Sequence, residues 1–324
     1  MKKLTFLLLA FYQFAYSQSY PPEAGTAGST AVFKNSTSFV AWATGITVTR
    51  GYVNISDTTV TAGGSNLATS GIPDNALGYP DTNTVSLGDG GSAILTFSSP
   101  IIDGTGFDFA VFENGAPAYL ELAFVEASSD GINFFRFPSH SQTPATIQIG
   151  TFGTPSATYL NNLAGKYSSE YGTPFDISEL PNIPLLDKQN ITHIKVIDVV
   201  GSINPAYASY DSFGNPVNES FPTPFASSGF DLQAVGVIHQ AALGTAGFDR
   251  VKSIAIYPNP AKNYFYIGTD EVVDVTIFDL LGRVVKRIGK VQTEKIDVSM
   301  LSQATYLVRI DSDMHSESKK LIIK

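Results

Sequence analysis

Carboxylates are the abundant reactive groups of this 324-residue sequence, and oxygen chemistry is what they offer. Asp108 and Glu113 stand in FDFAVFENG, Glu121 and Glu126 flank the next apolar run, Asp198 ends HIKVID and Asp231 opens DLQAVGV. Hard divalent cations take several carboxylate and carbonyl oxygens, which turns at strand ends can supply. Asp108, Glu113, Asp198, Asp211 and Asp231 are therefore candidate calcium ligands, although no stretch has the D-x-[DN]-x-[DN]-G spacing of a dedicated calcium loop. A pair such as Glu113 and Glu126 could also do the general acid and base work of a glycosidase.

Other chemistries find little support. There is no Cys, which removes disulfides, thiolate catalysis and thiolate metal sites. The four histidines, His140, His193, His239 and His315, are scattered and none belongs to an H-E-x-x-H pattern. Gly88-x-Gly90-x-x-Ala93 runs into the strand-like AILTF and not into a helix that could hold a pyrophosphate, so it reads as a glycine hairpin. Gly165-Lys166 lacks the earlier glycine and the following Ser or Thr of a phosphate loop, and no G-x-S-x-G elbow occurs.

The longest stretch without a strand or helix period is Gly201 to Gly229, GSINPAYASYDSFGNPVNESFPTPFASSG. It sets Tyr207, Tyr210, Phe213, Phe221 and Phe225 beside Asp211, Asn215, Asn218 and Glu219. Loops this long inside a compact domain usually have a function. Rings that stack on a ligand, with amides and a carboxylate to orient it, suit a sugar or small-molecule site, and Tyr207, Tyr210, Asp211, Asn215 and Asn218 are the candidate contacts. Rings that merely pin the loop to the core would look the same in sequence. Trp42, the only Trp, lies in an apolar strand and reads as core.

The elements that must hold these residues are strands. Hydrophobic residues make up 43% and aromatic residues 12%, enough for a packed core, whereas charged residues are only 15% and Gly, Pro, Ser and Thr recur throughout. Strand-length apolar runs fall at 38–42, 93–97, 107–112, 120–127, 133–137, 191–199 and 232–238, and one helix is expected over Tyr159 to Tyr171 with Gly172 as its stop. A jelly-roll or galactose-binding-like β-sandwich is the expected body. Residues 18–240 carry 6 Lys and Arg against 19 Asp and Glu, while 253–324 carry 10 against 9. So acidic a body disfavours nucleic acid or an anionic membrane as partner.

The chain opens with Lys2-Lys3, an apolar run from Leu4 to Phe14 and Ala15-Tyr16-Ser17, the pattern of a signal peptide over residues 1–17. No later segment is long and apolar enough to span a bilayer as a helix. After the body, 241–252, with AALGTAGFDR, reads as a flexible linker. Short alternating segments at 264–267, 272–278, 283–288, 305–310 and 319–323 then predict a second, smaller β-sandwich of immunoglobulin-like form.

SIAIYPNPAKNYFYI, VTIFDLLGRVVK, IDVSMLSQATYLVRI and the final KKLIIK resemble the type A C-terminal sorting domain of the type IX secretion system of Bacteroidota. The resemblance spans residues 253–324 and implies that the body is cargo for that machinery, bound for the outer-membrane surface or the medium. In the body, NALGYPD, VSLGDGGSAILTFSSPI, FDFAVFENG, AFVEASSDGINF and SGFDLQAVGVIHQ resemble a broad group of exported bacterial cell-surface proteins without assigned functions, and that resemblance supplies no catalytic residues. The resulting expectation is a binding or adhesion module for a carbohydrate or small molecule, with calcium as the one candidate cofactor. A carbohydrate-active hydrolase and a purely structural surface protein are the alternatives.

Overall fold

The computed structural model describes residues 19–116, 119–241, 254–269, 272–292, 294–312 and 316–324. The expected signal peptide (1–17) and all but Ala241 of the expected linker (241–252) lie outside them. The fold is all-β: among the described residues the helical turns are single 3-10 turns at Pro73–Ala76, Ala157–Tyr159 and Ile177–Glu179. No helix there is long and apolar enough to cross a membrane. The chain divides into two compact units, 1–243 and 244–324.

The strands of the first unit are β1 (Val32–Phe33), β2 (Ala41–Trp42), β3 (Gly45–Thr49), β4 (Val85–Ser86), β5 (Ser92–Ile101), β6 (Phe109–Glu113), β7 (Ala123–Ser128), β8 (Phe135–Arg136), β9 (His140–Ser141), β10 (Leu160–Asn161), β11 (Tyr171–Phe175), β12 (Ile191–Asp198) and β13 (Asp231–Val237). They form an antiparallel sheet in the order β1-β11-β6-β13-β2, with β4 also on β13, a second in the order β3-β5-β12-β7-β8, and a β9-β10 ribbon. Period-two alternation sends Phe109 and Val111 of β6, Ile194 and Val196 of β12, and Val125 and Ala127 of β7 into one shared core. The opposite face of β6 turns Ala110 and Phe112 toward Phe39 and Trp42. Trp42 thus packs on the outer side of its sheet and is only partly buried.

The helix expected over 159–171 does not form. Asn162, Gly165 and Glu170 all have positive φ, at 50°, 80° and 77°, which a right-handed helix cannot accommodate. The segment instead supplies β10, buries Tyr167 completely, and brings Gly165 so close to the Glu121 carbonyl that a Cβ there would collide with it.

The second unit holds seven strands among its described residues: β14 (Ala255–Tyr257), β15 (Tyr264–Gly268), β16 (Val273–Phe278), β17 (Val284–Val291), β18 (Lys295–Asp297), β19 (Thr305–Asp311) and β20 (Ser316–Ile322). They make a three-stranded sheet, β14-β15-β18, and a four-stranded sheet, β17-β16-β19-β20. The unit has a core of its own, with Phe265, Ile277, Val308 and Leu321 fully buried.

Candidate functional site

The inward rows of three strands end on carboxylates. Phe109, Val111 and Glu113 share one face of β6, Ile194, Val196 and Asp198 share one face of β12, and Glu121 precedes Ala123 and Val125 on the inward face of β7. Antiparallel pairing puts all three row ends at the same end of the sheets, since Asp198 pairs with Ala123 and Glu113 pairs with Leu232, beside Asp231. Asp89, just before β5, and Glu219, from the long loop, join them. Five of the six carboxylates are at most 7% exposed and Asp231 is 9% exposed.

Burial and mutual repulsion dominate their electrostatics. Desolvation, then the neighbouring carboxylates, holds Glu113, Glu121, Asp198 and Glu219 well above the usual carboxylate range. Burial likewise pushes Asp89 and Asp231 up to about 6, against hydrogen bonds from the Ile55 N–H and the Ser86 hydroxyl. Partners differ sharply within the group. Asp198 accepts from the N–H groups of Gly90 (2.9 Å) and Phe230 (2.7 Å), and Glu219 from that of Leu122 (2.7 Å). Glu113 has nothing comparable. The Asn114 and Gly115 N–H groups favour its charged form, yet neither oxygen accepts a hydrogen bond of ordinary distance and angle. Two basic side chains of this unit, Arg50 and Lys166, spend their donors on carbonyls. Arg50 attracts Asp231 but donates to the carbonyls of Ser70, Ser86 and Gly71, and Lys166 donates to those of Leu160 and Pro21.

A cleft of about 330 Å³ opens onto this group. Glu121 and Asp231 line it with Asn114, Gly115 and Tyr119 from the β6–β7 connection, and Phe152, Phe225 and Ser227 form the remaining wall. The rings of Phe152 and Phe225 lie 6.0 Å apart, tilted by 31°. Gly115 must lack a side chain here, because a Cβ would collide with Glu113 Oε2 and stand 2.7 Å from the Tyr119 carbonyl oxygen. The cleft therefore combines apolar rings with fixed oxygen acceptors.

The residues expected from sequence are dispersed. Glu113, Asp198 and Asp231 come together, but Asp108 lies before the other end of β6, about 16 Å away along the strand. It is fully buried, with its oxygens accepting from the Gly104 and Ile177 N–H groups, both at 2.7 Å, and one of them meeting His239 Nδ1 at 2.8 Å. Asp211 sits at the tip of the long loop and accepts from the N–H groups of Ser141, Phe213 and Asn215 and from the Asn215 amide. Tyr210 pairs with Pro216 at that tip and is 42% exposed, while Tyr207 is partly buried. The loop reaches the cleft through Phe225 and Ser227. Glu121 and Tyr119 were absent from the sequence candidates, although the alternation Glu121, Ala123, Val125, Ala127 places Glu121 on the inward row.

Asn218 is fully buried and ties the returning loop to 144–149: Oδ1 accepts from Gln148 Nε2 and the Ile149 N–H, and Nδ2 donates to the Pro144 and Ile147 carbonyls. Asn218→Ala leaves these partners unsatisfied and is expected to cost about 2–4 kcal/mol of stability, read by urea denaturation. An unchanged midpoint would show that the loop is held by its rings alone.

No curated protein matches the chain. Among solved structures, it is similar to one described as PorZ, an essential bacterial surface component of the type-IX secretion system of Porphyromonas gingivalis, at 17% identity over 28% of this chain and 14% of that one, TM-score 0.21. It is also similar to a β-glucuronidase from Ruminococcus gnavus, at 11% identity over 88% of this chain and 45% of that one, TM-score 0.22. A β-glucuronidase from Faecalibacterium prausnitzii gives 12% identity over the same shares, TM-score 0.20. The chain thus spans less than half the length of each. Residues 255–324 match the family described as the secretion system C-terminal sorting domain. The chain therefore ends in a type IX secretion C-terminal sorting domain, which marks it for secretion or the cell surface.

Proposed function

We propose that residues 18–240 form a ligand-binding or adhesion module for a carbohydrate or small molecule, exported behind a signal peptide at 1–17, joined by a linker at 241–252 and sorted by 253–324. In fold terms the body reads as a jelly-roll or galactose-binding-like sandwich, and the C-terminal unit as immunoglobulin-like. The support is two antiparallel sheets sharing a core in the first unit and a three- and a four-stranded sheet around a core in the second. The observation that carries the binding reading is the cleft, whose lining combines Phe152 and Phe225 with Glu121, Asp231 and Asn114. At the loop tip, Tyr210 and Phe213 are open to solvent and offer a second ring-bearing surface with Tyr207 and Asn215, while Asp211 is buried and holds the turn.

A glycan array and small-ligand screen of the chain, with and without calcium, tests this reading. Phe225→Ala is expected to weaken any hit about tenfold or more, which corresponds to the energy of one lost stacking contact. Tyr210→Ala, at an exposed ring, is expected to leave the melting temperature nearly unchanged. No hit in the screen would count against a binding module. A carbohydrate-active hydrolase is the rival, favoured by Glu121 and Asp231 lining one cleft with carboxyls raised toward the range of a general acid. Product release from chromogenic glycosides, lost in Glu121→Gln, would decide for it.

A further inference from the structure

We infer that the carboxylate end of the cleft binds a divalent cation, calcium by its ligand chemistry, through Glu113, Glu121 and Asp231 with the Tyr119 carbonyl oxygen. The inference concerns the same cleft as the binding reading but rests only on how its oxygens are placed. Glu113 is 1% exposed, and apart from the N–H groups of Asn114 and Gly115, which lie near it without ordinary hydrogen-bond distance and angle, its oxygens have no donor among the described residues. Buried polar groups are nearly always satisfied, and a buried carboxylate without a donor or cation is the costliest kind to leave alone. Its charged neighbours repel it: Asp231 acts on it directly, and Glu113 in turn acts on Glu121 and Glu219. Arg50 attracts Asp231 but spends its donors on carbonyls, and no basic side chain among the described residues offsets the charge of Glu113.

The donor set selects the ion. The cleft lining offers carboxylate, amide and carbonyl oxygen, with no His, and the chain has no Cys, so soft and borderline metals lack their preferred ligands. Calcium accepts six to eight oxygens in flexible geometry, whereas magnesium demands a tight octahedron and keeps its waters. The missing Cβ of Gly115 leaves Glu113 Oε2 and the Tyr119 carbonyl oxygen bordering the same small space, which places a backbone ligand beside an orphaned carboxylate. Asp103, Asp108 and Asp176 are a tighter cluster, with ligand atoms within 4.8 Å of one another, but the Asp108 oxygens there already have donors. The carboxylates of the cleft stand wider, so an ion would draw them in or complete its shell with water.

Calcium titration of the full-length chain by calorimetry, paired with thermal melts in excess calcium and in chelator, tests the site. Calcium is expected to bind and to raise the melting temperature of the body by mass action, and chelator to reverse it. Glu113→Gln and Asp231→Asn, each keeping the shape of its side chain, should weaken binding on the order of tenfold or more, because charge count sets calcium affinity. Asp103→Asn should leave it unchanged. Three results would overturn the inference: no binding at millimolar calcium, full binding in both cleft variants, or loss of binding in Asp103→Asn alone, which would move the ion to the other end of the sheets.

Discussion

Deleting residues 253–324 is expected to abolish surface display while leaving the body folded, so that it accumulates in the periplasm. The matched sorting domain occupies 255–324, and its core of Phe265, Ile277, Val308 and Leu321 shares no residue with the core of the body. The body's two sheets close among strands from Val32 to Val237, so truncation at 252 removes no strand from them. What is lost is the second step of export. A signal peptide accounts only for crossing the inner membrane, and the sorting domain must provide the crossing of the outer one. Fractionation with protease accessibility on intact cells measures the display, and a cooperative melt of the periplasmic product measures the fold. Fusing 241–324 behind a signal peptide and a foreign reporter should carry the reporter outward. Normal display of the truncated body would sink this account.

Much of this architecture was legible because strands announce themselves by period two. FDFAVF, HIKVID and DLQAVGV each became a strand, and the segments after residue 253 became seven short strands in two sheets. The helix expected at 159–171 failed for a local reason: Asn162, Gly165 and Glu170 adopt left-handed backbone, which Asn and Gly favour and which Glu does not advertise. The site was half legible. Glu113, Asp198 and Asp231 stand together because antiparallel strands bring alternate ends to one place, and alternation could also have named Glu121. Asp108 looked equivalent in sequence, but a residue before a strand and a residue ending it lie at opposite ends. The long loop carries five rings, yet which of them reach the cleft depends on how the returning segment is anchored. Asn218 and Asp211 do that anchoring with side chains whose polar atoms are already engaged. Their amide and carboxylate chemistry, suggestive of ligand contact in sequence, is used up by the backbone.

In the presence of chelator, the body should lose stability as pH rises from about 4 through 6 and beyond, the reverse of ordinary acid denaturation. Buried carboxylates held above their ordinary range keep protons that the unfolded chain has already released. The folded state then binds more protons than the unfolded one, and stability falls with rising pH over that interval. The sign follows from raised and not depressed values: the contribution is full below the unfolded carboxylate range and is lost as pH passes through the folded one. Asp89 and Asp231, moved from 3.8 to about 6, bound the lower part of the window, and Glu113, Glu121, Asp198 and Glu219 carry it higher. Burial drives the shift of Asp231, and the Ser86 hydroxyl, Arg50 and the Asn114 side chain oppose it. Denaturation midpoints at pH 4.5, 6 and 8 in chelator measure the slope. General self-repulsion of a chain with net charge -9 would tilt stability the same way, so a matched control is needed. Glu113→Gln removes a buried ionisable group and should stabilise the chain at pH 8 while changing little at pH 4.5; Glu23→Gln, at an exposed position, alters net charge equally and should do neither. Stability that rises across the interval, or an equal response of the two variants, would mean that the carboxylates at this end are solvated in solution and that burial does not set their protonation.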